Sequence, residues 1–134
     1  MLDKQKVFTD VVRGLHKQGW QRSTAFVDNT CVERCAYVGS DNRGCAIGVL
    51  FLGKVEIPPR FNTSDVRTLL EQCPEAKAYV NYTYGTPTDE DIEFLVGLQR
   101  LHDNSLSSRF MLYVFKSFAV QNNLEWPSDV PQEM

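Results

Sequence analysis

The chain has 134 residues, 43% of them hydrophobic and 23% charged, and carries a net charge of −3. That length supports one domain with one core. Lys and Arg are scattered instead of gathered into a basic face, which argues against a protein built to neutralise the phosphates of a nucleic acid. No charged-then-apolar leader opens the sequence, and the longest apolar run, Ala46 to Leu52, is far too short to span a bilayer. A soluble cytoplasmic protein with no membrane contact is expected. In that compartment Cys31, Cys35, Cys45 and Cys73 are expected as thiols, not disulfides.

In chain order, Val7, Phe8, Val11, Val12 and Leu15 form one stripe of an amphipathic helix from about residue 3 to 18, capped by Asp3 and ended by Gly19. Ala25-Phe26-Val27 reads as a short extended piece entering the turn Asp28-Asn29-Thr30. Cys35 to Val38 reads as a second such piece, ended by the turn-forming Gly39 to Gly44. The run Cys45 to Leu52 has no polar face and must be enclosed; a short central helix is favoured, with a buried strand as the alternative. Pro58-Pro59 then stiffens the connector Val55 to Arg60, where the two prolines forbid continued helix.

Thr63 or Ser64, followed by Asp65, caps a second amphipathic helix with Val66, Leu69, Leu70 and Cys73 on its inner side. Residues 74–85, rich in Tyr, lean toward an extended segment, with one helical turn at 75–79 as the alternative. Thr86 to Asp91 is the clearest helix start, a hydroxyl cap followed by acids that complement the helix dipole. That helix runs to about His102, which shares the apolar stripe with Leu95 and Leu98. A final helix is expected to present Leu106, Phe110, Met111, Val114, Phe115 and Phe118 on one broad face. The fold class expected is mainly α: a compact single domain of four or five helices over residues 1–124 with a small β element, and a tail, 125–134, anchored through Trp126.

Three groups of residues bear on chemistry. Cys45 at a helix start, where the dipole lowers a thiol pKa, with His102 as base and Asp103 orienting it, would make a cysteine-dependent hydrolase or transferase. Consecutive helix positions point about 100° apart, which sets Asp103 badly to hold the His102 ring. In the other reading Cys45 is a small buried hydrophobe, His102 a hydrogen-bonded core residue and Asp103 the cap of the next helix. Cys31, Cys35, Cys45 and His102 have the donor types of a zinc site, but only Cys31 and Cys35 form a close pair, and no metal or other cofactor is expected. Tyr79, Tyr82, Tyr84 and Trp126 are the residues suited to a protein-binding surface, because Tyr and Trp give large contact area at small entropy cost.

The order of Cys35-Ala36-Tyr37, Gly44-Cys45-Ala46-Ile47-Gly48 and Leu98-Gln99-Arg100-Leu101-His102-Asp103 after an N-terminal helix resembles small proteins encoded by bacteriophages and prophages. The likeness spans about Val7 to Leu124. It implies a phage origin and lends no catalytic residue. An accessory protein that binds a host or defence protein in the infected cell is the function expected. Sequence does not set its oligomeric state.

Overall fold

A computed structural model describes residues 1–26, 33–39 and 42–134. Among these are five α-helices and two short strands: α1 (Lys4–Lys17), β1 (Thr24–Phe26), β2 (Glu33–Cys35), α2 (Val66–Gln72), α3 (Pro74–Tyr84), α4 (Asp89–Asp103) and α5 (Ser108–Gln121). The mainly α class expected from the sequence is observed, including the small β element, an antiparallel pair with Thr24 opposite Cys35 and Phe26 opposite Glu33. The turn at Asp28-Asn29-Thr30 lies outside the described residues. No described helix is long and apolar enough to cross a membrane.

α1 starts where the Asp3 carboxylate accepts the Lys6 amide at 3.1 Å, and its buried face is Val7, Phe8, Val11, Val12 and Leu15. Gly19 (φ +74°) and Trp20 (φ +57°) reverse the chain in the left-handed region. This reversal sends the buried Trp20 back under the helix, where its amide donates to the Leu15 carbonyl at 2.8 Å.

The run after Cys45 becomes an irregular helical coil. A 3₁₀ turn at Gly48–Leu50 is flanked by turns whose amides reach back three or four residues, so neither a regular helix nor a strand forms. Cys45, Ala46, Ile47 and Phe51 are all fully enclosed. Side chains the size of Ile47 and Phe51 each contribute about 2 kcal/mol when removed from water. Gly48 permits the packing, since a Cβ there would lie 2.1 Å from the Tyr37 carbonyl oxygen.

Two expectations are corrected. Residues 74–84 form α3, not an extended segment: Pro74 fits the first turn, and Ala76, Val80 and Tyr84, four apart, are its buried residues. α5 buries much of the face expected, Met111 and Phe115 fully and Val114 and Phe118 partly against the core. It is rotated so that Leu112 and Ala119 also turn inward and Leu106 and Phe110 do not. Met111, Leu112, Phe115 and Ala119 are buried, while Leu106 is 90% and Phe110 47% exposed.

The tail is part of the packing. Trp126 stacks on Trp20 with ring centroids 6.1 Å apart, meets Phe8 edge-on, and donates from Nε1 to the carbonyl of Val130, itself buried. Arg13 Nε lies 3.0 Å from Asp129 Oδ2, and the Gln5 side chain binds both the amide and the carbonyl of Glu125.

Candidate functional site

α4 is aimed by its start. The Thr88 hydroxyl accepts the Asp91 amide, and the Asp91 carboxylate accepts the Thr88 amide in return, a complete capping box. Asp91 Oδ2 also accepts the Leu2 amide at 3.0 Å. Burial by itself would raise the Asp91 pKa. The hydrogen bonds from Thr88 and Leu2, with Lys4 nearby, hold it below the usual carboxylate value. The rest of the acidic start is a surface ion cluster in which Arg67 pairs with Glu93 at 3.0 Å and Asp89 at 3.7 Å.

So oriented, α4 presents Gln99, His102 and Asp103 to the loops that follow α1 and β2. Gln99 Oε1 accepts the Ile47 amide at 3.1 Å, and Gln99 Nε2 donates to Asp103 Oδ1 at 2.8 Å. The same carboxylate oxygen lies 2.9 Å from His102 Nδ1. The Asp103 carboxylate therefore does hold the ring, contrary to the argument from residue spacing. Nδ1 is the ring nitrogen nearer the backbone, within reach of a short neighbouring side chain at the last residue of the helix. His102 Nε2 accepts the Ser23 amide at 3.1 Å. A peptide N–H can only donate, so Nε2 is bare, the proton sits on Nδ1, and the ring is neutral. Ser23 is fully buried, and its hydroxyl donates to the Arg43 carbonyl at 2.8 Å.

Cys45 opens the coil that Gln99 fastens at the Ile47 amide. Its sulfur is fully buried and accepts the Gly48 amide at 3.2 Å. A helix-start thiol would be acidified; here burial dominates and pushes the pKa up to about 12, beyond what the Gly48 amide offsets. Among the described residues no hydrogen bond joins the Cys45 thiol to the His102 ring. With Nε2 occupied and the thiol held protonated, neither base nor nucleophile is ready. Asp103 does not cap the next helix; Ser107 does, accepting the Phe110 amide at 3.1 Å.

Of the proposed zinc ligands, Cys31 lies outside the described residues and Cys35 is described only as backbone. Cys45 and His102 face different partners, and no cluster of three His, Cys, Asp or Glu side chains is formed among the described residues. The aromatic quartet divides. Tyr84 is buried with its hydroxyl donating to Asp10 at 2.8 Å, Tyr79 packs edge-on against Phe51, and Trp126 is half-buried against the core. Only Tyr82, 94% exposed, projects into solvent.

Sequence reasoning missed two features. One is a cleft of about 300 Å³ between α4 and the start of α2, walled by Tyr37, Cys45, Ser64, Asp65, Gln99 and Asp103 among others. The other is the outer face of α5, where Phe110, Tyr113 and Val120 stand exposed at helical spacing, with Leu106 just before the helix. The spacing 110, 113 and 120 was a usable signal, but the same helix offers a second apolar face, and only packing shows which one is buried. No protein-family model matches this chain, and no curated protein or solved structure matches it either.

Proposed function

We propose that this is a small accessory protein that acts by binding another protein through the outer face of α5. The observation that carries this reading is the set of exposed side chains along that helix: Phe110 at 47%, Tyr113 at 63% and Val120 at 79% exposure, continued by Leu106 at 90%. A large apolar side chain left in water forgoes about 2 kcal/mol of burial, and three along one helix with a fourth just before it mark an interaction surface, where Tyr and Phe are enriched. Arg109 and Lys116 are the only charged residues of α5, so the partner surface that fits is apolar with an acidic rim. The viral setting rests on the likeness of sequence order to phage and prophage proteins, which favours a partner in the infected cell. The chemistry at Cys45 and His102 lends no support to a hydrolase, because the sulfur is protonated and the imidazole lone pair is taken.

The test is affinity capture from infected cells with the wild-type chain, a Tyr113→Asp/Val120→Asp variant and a Tyr82→Asp control, followed by hydrogen exchange on the recovered complex. A partner retained by wild type and control, lost from the double variant and protecting the amides of 108–121 is expected. Equal retention by the double variant would refute the assignment of the surface, and recovery of no protein would refute the binding reading itself.

A further inference from the structure

Successive residues of a helix are turned by about 100°, so Phe110, Tyr113, Ser117 and Val120 fall within one sector of α5, opposite the buried Met111, Phe115 and Ala119. Along the chain Leu106, Phe110, Tyr113, Ser117 and Val120 step by four, three, four and three residues. That is the repeat by which one helix receives another, and the small Ser117 lets a second backbone approach closely. A strand finds nothing to pair with here, because the peptide groups of a helix interior are spent in its own ladder.

Charge decides which kind of helix fits. Arg109 and Lys116, seven residues apart, fall together on one edge of this sector, and α5 carries no acidic residue. Among the described residues neither cation is in an ion pair, and Lys116 Nζ donates to the Gln132 carbonyl at 3.0 Å. A groove of about 300 Å³ borders that edge, between Arg109, Tyr113 and Lys116 of α5 and residues 132–134 of the tail. Glu133 is its one carboxylate side chain, so the cations outnumber it. A second copy of this chain would bring another α5 without an acid and leave both basic edges uncompensated. The exposed apolar side chains offer on the order of 500 Å², and the groove edge extends this toward the about 800 Å² that each side of a specific interface buries.

We propose that the outer face of α5 receives an amphipathic helix of the partner protein, whose apolar residues recur in three- and four-residue steps and whose carboxylates, seven residues apart, meet Arg109 and Lys116. The inference rests on the reading of α5 as a protein-binding face and adds to it the partner's form and charge. Seven residues rise about 10.5 Å, two helical turns, so one carboxylate opposite each cation keeps step with the apolar seam. Rim pairs of this kind contribute little affinity; they fix orientation and select among helices.

Amide NMR of the intact protein tests it with three synthetic peptides of equal length: a hydrocarbon-stapled helix with Leu along the seam and Glu on one flank, the same helix with Lys in place of Glu, and the Glu peptide unstapled and broken by central prolines. The Glu helix is expected to move the amides of 109–121, and the Lys helix to bind about tenfold more weakly as two attractive rim pairs become repulsive. In an Arg109→Glu/Lys116→Glu variant the order should reverse, an outcome that misfolding does not produce. The proposal is overturned if the proline peptide moves those amides as strongly, if the variant keeps the wild-type order, or if neither helix binds at up to about 1 mM. It is also overturned if the same amides move with protein concentration alone, which would put a second copy on the face. A partner captured from infected cells that protects 108–121 would uphold the protein-binding reading even where no helical peptide binds, so the two fail separately.

Discussion

His102 Nε2 receives the amide hydrogen of Ser23 at 3.1 Å across 79 positions of sequence, and this bond assigns the proton of the ring to Nδ1. Long-range ¹⁵N–¹H correlation spectra at neutral pH should therefore show Nδ1 protonated and Nε2 bare. His102→Ala leaves the buried Ser23 amide and one side of Asp103 unmet, with an expected loss of about 2–4 kcal/mol in urea unfolding. A loss below about 0.5 kcal/mol would mean that water replaces the ring at no cost.

The Cys45 thiol, pushed up to about 12 by burial, should resist alkylation at pH 7.5 in the native protein and react at the ordinary rate in urea. Peptide-level mass spectrometry separates it from the other cysteines. The folded value lies above the unfolded one, so the folded state holds its proton longer. Stability is unaffected below about pH 9 and falls as pH rises from there toward 12. Cys45→Ala should flatten part of that alkaline limb, with burial of the Tyr37 and Tyr84 phenols supplying the rest.

Asp91 gives the acid limb. Its folded value is lowered, so its stabilising effect is present above the unfolded value of 3.8 and is lost as pH falls through the folded one. Asp91→Ala should cost about 1–3 kcal/mol at pH 7 by leaving the Leu2 and Thr88 amides unmet. It should also make urea midpoints less sensitive to pH below 4. An unchanged acid limb would show that the carboxylate is not the responsible group.

Two glycines separate steric from conformational cost. At Gly48 a Cβ would meet the Tyr37 carbonyl oxygen at 2.1 Å, so Gly48→Ala should cost about 3 kcal/mol by overpacking. At Gly53 the added carbon has nothing within 4 Å, but φ is +73°, so Gly53→Ala should cost about 1 kcal/mol through backbone strain alone. Guanidinium unfolding of the two variants side by side should preserve that order, and a reversal would contradict the packing of the 3₁₀ turn on Tyr37.

What could be read in advance was local. The α1 stripe and the acidic, hydroxyl-capped start of α4 are each written within a few residues and formed as the pattern dictates. The pattern places the start of α2 only to within two residues, with Asp65 capping it and not Thr63 or Ser64. The enclosure of His102 also followed from its spacing to Leu95 and Leu98. Residues 74–84 misled because aromatic residues favour strands in isolation, whereas Pro74 and the four-residue spacing of Ala76, Val80 and Tyr84 decide the matter once a core is present. The ring's partner at Ser23, the Gln99 link to Ile47 and the orphaned phenol of Tyr37 join positions tens of residues apart, and no short pattern encodes them.

Three carboxamides in this fold do the work of missing strands. Gln18 receives the Gly44 amide at 3.0 Å and donates to the same residue's carbonyl, Asn62 does likewise with Val38 at 2.9 Å both ways, and Gln5 with Glu125. Each one fastens an irregular stretch that no sheet reaches, and each depends on a single NH₂. Hydrolysis to the acid would replace that donor with an anionic oxygen facing a carbonyl, so slow deamidation in a stored sample would release these stretches one at a time while leaving the helices standing.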